Sequence, residues 1–510
     1  MSQQHASSIR THSSLRLKWD LMIGIVGSCC LWLPCIHAQS TSRDDLASKV
    51  RQLTDAMNAT QAELEKSQHE LEQLRAQMAS LQQQIADFHA VDTTSSSVSE
   101  LSSAVEQIRE QQSLQEVQIA TQEQAKVETE SKFPLKLSGL VLLTGFVNTT
   151  QVDDPVAPTL VLPGSGSTGA SLRQTVVGFD ARGPQLFGAR THADLRADFY
   201  GTGPTTDGAY PFAGGLLRLR TVHASVDWAH TQAFFALDHA VVAPNTPTSL
   251  TAVAVPALAW SGNLWTWNPQ LGLTQDVSLS GSERFRMQGA LIDVMSSPQI
   301  YSAPAATPGV SQPTTSEMSR WPGAEGRVAI LNGAQDSGLQ IGAGGLFVPH
   351  RTSEGTRFNS WAGTVDYRIP LPGRTEFSGS AYLGQALGGL GGGGYKDYVF
   401  SYSPFAEYAF RTLDDMGGWA QLKERASDRL EFNAAFGTDQ VPASELRPYA
   451  GDSAEYYLNQ ARNRTYTANV IYRPSAYLMF SMEYRHIQTS PVTEYTATGD
   501  VIGIATGYRF

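Results

Sequence analysis

Charged and apolar side chains alternate along the segment GARTHADLRADFYG, residues 188–201. One set of alternate positions carries Arg190, Asp194, Arg196 and Asp198. In an extended strand these side chains share one face, because successive side chains point to opposite sides. Guanidinium groups bind carboxylates and phosphates through paired hydrogen bonds. Such a face could bind anions, or its arginines could pair with its own carboxylates.

Later segments of the same alternating kind supply further charged side chains. They are Arg218, Arg220, Arg286, Arg374, Glu376, Lys423, Arg425, Glu483 and Arg485. If these faces line one water-filled space, the arginines favour anionic solutes by charge and by hydrogen-bond geometry. The acidic residues among them argue equally for arginine–carboxylate pairs that stabilise a wall. The sequence leaves both interpretations open.

Residues with catalytic chemistry form no recognisable motif. Asp238 and His239 are adjacent, but no serine stands in the sharp turn that exposes a nucleophile. The glycine cluster at residues 388–398 lacks the Gly-Lys-Ser/Thr ending of a phosphate-binding loop, and we interpret it as an external loop. We therefore expect a protein that is not an enzyme, with no catalytic residue, no metal and no cofactor.

Strands are the elements that must position the charged residues. From residue 135 to residue 510 the hydrophobic period is two, and sixteen alternating segments of about ten to fourteen residues follow one another, among them residues 170–182, 359–370 and 476–489. Very short connections alternate with long ones, as in a meander with tight turns at one end and large loops at the other. No helical pattern remains to cover the apolar faces. We therefore predict an all-β transmembrane barrel of about 16 antiparallel strands over residues 133–510, since closure pairs every backbone group.

Residues 41–90 follow a different period. Apolar side chains recur there with 4-3 spacing over about six heptads, which predicts an α-helical coiled coil that associates with other copies of itself. Its seam consists of Leu46, Val50, Leu53, Met57, Leu64, Leu71, Leu74, Met78, Leu81 and Ile85. Residues 91–132 are predicted to form a Ser/Thr-rich linker and a second helical segment.

The first 38 residues have the composition of an export signal. Basic residues precede an apolar run from Leu21 to Ala38, and all three cysteines of the chain lie within that run. We therefore expect a signal peptide over residues 1–38. The net charge of the chain is −11, and a basic footprint for nucleic acid is absent from the sequence. Nucleic acid is therefore not an expected partner.

The long connection at residues 244–269 is less polar than the other loops. It contains Leu250 and three tryptophans, Trp260, Trp265 and Trp267. A loop that extends into water does not need this apolar content. We therefore predict that it is buried, either inside the barrel as a constriction or at a subunit interface.

The order of these features resembles the DcaP-like trimeric porins of Gram-negative outer membranes. The resemblance rests on the export signal, the coiled coil, the transition KFPLKLSGLVLLTGFVN at residues 132–148, the sixteen strands and the terminal GYRF, and it covers residues 41–510. It implies a homotrimer with a periplasmic coiled coil, whose pores pass small and often anionic solutes. Tyr508 and Phe510 would then form the terminal signal that the barrel-assembly machinery recognises.

These observations predict an outer-membrane porin, a water-filled channel for passive diffusion of small hydrophilic solutes, with anions as candidates. One alternative is a structural tether that reaches the cell wall through the coiled coil, and this role can coexist with transport. Another is an adhesin-type surface protein, but that architecture needs only a few strands per chain. The expected partners are further copies of the chain, outer-membrane lipid, the barrel-assembly machinery, small solutes and, for a tether, the cell wall.

Overall fold

The structure, a computed structural model, describes the C-terminal part of the chain. The described residues are 135–201, 215–295, 297, 313–333, 338–403, 406–450, 459–493 and 495–510. The predicted signal peptide, coiled coil with its seam, and linker lie outside the described residues.

Nineteen strands run through the described residues. They are β1 (Leu135–Val152), β2 (Val161–Ser171), β3 (Val176–Arg182), β4 (Arg190–Gly201), β5 (Leu216–Asp227), β6 (Thr231–His239), β7 (Trp267–Ser280), β8 (Glu283–Ile292), β9 (Gly323–Asn332), β10 (Leu339–Arg351), β11 (Arg357–Pro370), β12 (Thr375–Gln385), β13 (Tyr398–Ser403), β14 (Ala406–Thr412), β15 (Asp414–Arg425), β16 (Leu430–Gln440), β17 (Gln460–Tyr472), β18 (Leu478–Pro491) and β19 (Ala497–Arg509). Seventeen of them form one antiparallel sheet, and β13 and β14 form a separate hairpin.

The large sheet closes on itself. β1 pairs with β19 from Leu140↔Arg509 to Asn148↔Val501. On its other side β1 pairs with β2 near one end and with β3 near the other. β2 and β3 therefore share one position, interrupted at residues 172–175, and the ring has sixteen strand positions. The predicted antiparallel barrel is confirmed, and it has no unpaired sheet edge.

The connections differ strongly between the two ends of the barrel. One end, the turn end, carries tight connections such as Gly281–Ser282, where Gly281 adopts a φ of 55°. The other end, the loop end, carries the long connections, including the β13–β14 hairpin and two short helices, α1 (Thr315–Ser319) and α2 (Ala443–Leu446). Among the described residues, no helix has the length and apolar composition needed to cross a membrane.

The two faces of the wall have different compositions. Large apolar side chains point outward and are exposed, among them Val141, Leu143, Phe235, Leu271, Leu273, Ile330, Ile341, Phe347, Val365, Leu383, Met482 and Ile504. Inward positions are mostly polar, and β17 illustrates the alternation. Asn463, Thr465 and Asn469 are buried on its inner side, whereas Tyr466 and Tyr472 are exposed on its outer side. A period of two therefore sorts each strand into an apolar outside and a polar inside.

The apolar core of the described chain lies inside the barrel. Its largest cluster joins the inner sides of the wall to two loop segments, and it contains Ala240, Val242, Leu264, Ile292, Val294, Leu346, Val348, Ala362, Tyr382, Leu387 and Leu390. Loop-end connections therefore fold back into the barrel and occupy part of its interior.

Candidate functional site

Residues 240–266, here called the inner loop, connect β6 to β7 along the inner wall. Leu250 packs on Leu142, Ile471, Met479 and Ala505, which lie on β1 and β17–β19. These strands are far from β6 in the order of the sheet. The loop therefore runs through the interior of the barrel.

Polar contacts attach the inner loop to the wall. The Thr248 backbone N–H donates to Oε1 of Gln421 at 2.7 Å, and the amide of Asn469 donates to the Thr248 carbonyl at 2.9 Å. The Ser249 hydroxyl donates to the carboxylate of Glu483. Because β15, β17 and β18 all contribute, the loop position is determined by side chains that are far apart in sequence.

The tryptophans of the predicted constriction loop lie at the end of this segment. Trp260 is buried and stacks on Tyr395 with ring centroids 3.9 Å apart, and Trp265 meets Trp260 edge to face. Trp267 is the first residue of β7, so the strand begins two residues earlier than the loop was predicted to end. All three rings pack inside the barrel.

Residues 386–397, here called the glycine-rich segment, also enter the barrel. The N–H groups of Gly393 and Gly394 donate to the carboxylates of Asp415 and Asp439, and Lys396 is fully buried. Burial lowers the pKa of Lys396 to about 7, although both aspartates oppose this shift. The interpretation of this segment as an external loop is wrong, because buried carboxylates bind its backbone.

The inner loop and the glycine-rich segment leave one part of the wall more accessible than the rest. The Arg327–Asp366 pair under the inner loop has side chains that are 3% and 0% exposed. On β3 and β4, the Arg196–Asp180 pair has side chains that are 33% and 28% exposed. The accessible wall consists of the inner sides of β3–β5, β7 and β8, and its charged groups can contact water.

Most predicted wall residues take part in ion pairs. On the accessible wall Arg196 pairs with Asp180, and Arg286 pairs with Asp276, each at 2.7 Å. Elsewhere the pairs are Glu376–Lys423 at 3.6 Å, Arg425–Glu431 at 3.8 Å and Glu483–Arg485. Many of these arginines are therefore paired with carboxylates of the wall.

Besides Glu376, Lys423 and Arg425, four more predicted wall residues lie away from the accessible wall. Arg374 is in the turn between β11 and β12 and pairs with the exposed Asp428, and Arg190 is exposed at the start of β4 near the turn end. Glu483 and Arg485 point inward, but the inner loop covers them. Their assignment to an open pore lining is corrected, because they anchor the loop.

Three arginines converge where the inner loop passes β4 and β5. The guanidinium groups of Arg218 and Arg220 lie 5.2 and 5.1 Å from the ring centroid of Trp267. Arg173 lies 4.5 Å from the ring of Tyr200. Arg173, Arg218 and Arg220 are here called the arginine cluster. Asp194 lies on the same face of β4, towards the turn end.

Two of the three arginines in this cluster pair with the same carboxylate. Asp198 is fully buried and accepts two hydrogen bonds from Arg218, at 3.0 and 2.6 Å, while Arg220 lies 3.6 Å from it. Among the described residues, Arg173 has no carboxylate within ion-pair distance, and its buried Nε has no hydrogen-bond partner. The cluster therefore has three guanidinium groups and one carboxylate within ion-pair distance, and Asp154, which accepts a hydrogen bond from the Tyr200 hydroxyl at 2.7 Å, lies beside it.

Sequence reasoning did not find Arg173. The predicted strand over residues 170–182 would place Arg173 on the same face as Phe179, which is exposed on the outside. The break between β2 and β3 redirects the chain, so that Arg173 approaches Tyr200. No local signal in the sequence marks this break.

A sixteen-position antiparallel barrel with a polar inner wall and an inward-folded loop has the porin fold. The chain shares this fold with the outer-membrane channel DcaP of Acinetobacter baumannii, with a TM-score of 0.54 and 14% identity over 75% of this chain and 99% of that one.

Two further solved structures are less similar. The anion-selective porin of Comamonas acidovorans has a TM-score of 0.45 and 9% identity, covering 74% of this chain and 100% of that one. Salmonella typhi OmpF in complex with daunomycin has a TM-score of 0.44 and 11% identity, covering 75% and 99%. No protein-family model and no curated protein matches the sequence.

Proposed function

We propose that the chain is an outer-membrane porin, a water-filled channel for passive diffusion of small hydrophilic solutes with a preference for anions. The arginine cluster beside the inner loop is the observation that carries the proposal. It combines positive charge, partial exposure and a position inside a closed barrel.

The composition of the wall supports a membrane channel. A barrel in hydrocarbon needs an apolar outside, and one that conducts solutes needs polar groups that water can reach on the inside. Sixteen strands are enough to enclose an aqueous lumen. Charged side chains on β3–β5, β7 and β8 keep the accessibility that such a lumen requires.

The preference for anions follows from the charge of the cluster. Two guanidinium groups face one fully buried carboxylate and a third lies over the ring of Tyr200, so a passing carboxylate or phosphate meets excess positive charge. The lumen of a narrowed barrel has a lower effective dielectric constant than bulk water, which strengthens this attraction. The aromatic rings hold the planar groups by cation–π contact and leave their N–H edges available.

The remaining predicted partners belong to the same proposal. A homotrimer in the outer membrane, tied together by a periplasmic coiled coil over residues 41–90, is supported by the heptad seam. Tyr508 is exposed on the outer side of β19, and the exposed Phe510 exchanges backbone hydrogen bonds with Gly139 of β1. The exposure of both rings suits recognition by the assembly machinery. A role for the coiled coil as a cell-wall tether is compatible with this arrangement.

Planar-bilayer recording of the full chain tests the proposal. We expect stepwise conductance and a reversal potential in a salt gradient that indicates anion preference. The triple variant Arg173→Gln, Arg218→Gln, Arg220→Gln should lose that preference, whereas Arg374→Gln at the turn end should keep it. A folded protein without conductance contradicts the channel, and a triple variant with the wild-type reversal potential contradicts the filter.

A further inference from the structure

His192, Asp194 and His223 bring three possible metal ligands together on the inner wall. Nδ1 of His192 lies 3.8 Å from the Asp194 carboxylate, and Nδ1 of His223 lies 4.0 Å from the same oxygen. One ligand atom from each of the three residues lies within 4.8 Å of the others. Their side chains are partly exposed.

The strand geometry produces this grouping. His192 and Asp194 are two residues apart on β4, so they share its inner face. The register of β4 and β5 places Asp194 directly opposite His223. The imidazole of His223 stacks on Phe234 with ring centroids 5.7 Å apart, which restricts its rotation. The strand register therefore places Asp194 and His223 side by side before any ion binds, and packing on Phe234 holds the imidazole of His223.

Asp194 lacks the kind of partner that its neighbours have. Arg196, the next residue on this face, pairs with Asp180, and Asp198 pairs with Arg218. Asp180 lies opposite Asp194 in the sheet and adds negative charge to the surroundings. Within the described part of the chain, Asp194 has ion-pair distances only to the two histidines.

Two other charged residues near Asp194, Asp227 and Arg182, do not form ion pairs with it. On β5, the carboxylate of Asp227 accepts hydrogen bonds from Ser225 at 2.8 Å and from Gln232 at 2.6 Å. On β3, Arg182 is opposite His192 and exposed at the turn end. Asp194 is therefore left with the two histidines as its ion-pair partners in this part of the wall.

We propose that His192, Asp194 and His223 bind a divalent transition-metal ion of the class of Zn²⁺, Ni²⁺ and Cu²⁺. Two imidazole nitrogens and one carboxylate suit these ions, whereas Ca²⁺ and Mg²⁺ prefer ligand sets made of oxygen. Ligand atoms of a tetrahedral zinc site lie roughly 3.4 Å apart, given bonds of about 2.1 Å. Side-chain rotations must close the distances of 3.8 and 4.0 Å to Asp194, and a histidine–histidine separation of up to 4.8 Å, to this value.

The site is separate from the arginine cluster. Asp194 precedes Asp198 by four residues on β4, which places it about 13 Å further along the strand in the direction of the turn end. The partial exposure of the three ligands leaves a coordination position open to water or to a passing solute. A wall that we propose to attract anions through its arginines thus carries a cation site at a different depth.

Zinc and copper binding to the full chain, folded in detergent without an added histidine tag, tests the site. Titration calorimetry with ZnCl₂ should show one Zn²⁺ per chain that is lost or weakened in His192→Ala, His223→Ala and Asp194→Asn. Substitution of a residue that only hydrogen-bonds to a metal ligand lowers metal affinity roughly 10- to 100-fold. Loss of a ligand itself should lower the affinity for Zn²⁺ by more than this. With CuCl₂, electron paramagnetic resonance should show two coordinated nitrogens, and one in either histidine variant.

His486→Ala is the matched control. Nδ1 of His486 lies 2.8 Å from Asp500, which makes a histidine–carboxylate pair without a second histidine. This variant should bind Zn²⁺ like the wild type. Equal binding by the wild type and a folded ligand variant overturns the proposal, and so does a wild type that binds no Zn²⁺. Either histidine variant alone is sufficient for the test. Zn²⁺ binding is measured without recording channel conductance, so the result is independent of the proposed channel function.

Discussion

Arg218 and Asp198 form a two-pronged ion pair on neighbouring strands, with Nε–Oδ1 and Nη2–Oδ2 distances of 3.0 and 2.6 Å. The same Nη2 donates to the carbonyl of Ala254 on the inner loop at 2.7 Å. One guanidinium group therefore joins β4 and β5 to the loop. The charge of the arginine cluster and the position of the loop depend on the same contact.

Asp198→Asn should increase anion preference. The substitution keeps the shape of the side chain but removes the one negative charge that the cluster shares. We expect the reversal potential in a salt gradient to move closer to the equilibrium potential of the anion. Asp428→Asn is the control, because Asp428 is 90% exposed and pairs with Arg374 at the turn end. A conducting Asp198→Asn channel with the wild-type potential would show that the cluster does not set selectivity.

Ser249→Ala should loosen the inner loop. The Ser249 hydroxyl donates to Glu483 and accepts the N–H of Ala252, so its removal leaves a buried carboxylate with fewer donors. A hydrogen bond to a charged group contributes about 1.5–3 kcal/mol. We expect a loss of this size in the free energy of unfolding and greater fluctuation of the open-channel current.

Ser353→Ala removes a similar serine–glutamate hydrogen bond, to Glu354, at an exposed position. It should change neither the unfolding free energy nor the current noise. Equal effects of the two serine variants would mean that the Ser249 contact does not hold the loop.

Gly262→Ala should displace the inner loop from the wall. Gly262 has a φ of 94°, and a Cβ atom there would lie 2.2 Å from the carbonyl oxygen of Gly418. Gly373, in the turn between β11 and β12, has a similar positive φ, of 83°, but a Cβ atom there would have open space. Both alanine variants incur the backbone cost, and only Gly262→Ala adds the clash. Unfolding should show an extra loss of about 1–3 kcal/mol for Gly262→Ala, and equal losses would contradict the close packing.

Lys396 should make stability depend on pH above neutrality. Its pKa falls from the usual 10.5 to about 7 in the folded chain, so the unfolded chain binds more protons between these values. Stability therefore rises as the pH increases from about 7 towards 10.5, because the folded state no longer carries a buried charge that the unfolded state keeps in water.

The comparison of the wild type with Lys396→Met isolates this effect. Burial raises the pKa of Asp397 to about 6, so unfolding measurements should start at pH 7. The difference in unfolding free energy between the two proteins should change steadily from pH 7 to pH 10. A difference that is constant over this range would show that Lys396 keeps its ordinary pKa.

The barrel strands were predictable because a period of two is a local property. The segments predicted at residues 359–370 and 476–489 correspond to β11 and β18 within two residues at each end. β2 was missed because its sequence, VLPGSGSTGAS, has little hydrophobic alternation. Pairing with β1 makes it a strand, and that pairing depends on residues distant in the sequence.

Of the candidate site, the sequence predicted only the segment whose amino-acid composition is unusual for a loop. The apolar content of residues 244–269 indicated burial, and the structure places the segment inside the barrel. The glycine-rich segment gave no such indication, because the carboxylates that bind it come from β15 and β16. The grouping of His192, Asp194 and His223 likewise depends on the β4–β5 register, which the sequence does not display.

The inner loop and the glycine-rich segment bury the Arg327–Asp366 and Glu483–Arg485 pairs but leave the pairs of β3, β4, β7 and β8 partly exposed, so the free cross-section of the barrel is eccentric. A solute crossing it travels beside the inner sides of β3–β5, β7 and β8 and meets few of the side chains on the opposite arc. Variation in the first half of the barrel sequence should therefore change which solutes pass. Variation in the second half should act through the placement of the loops, and so through the width of the passage.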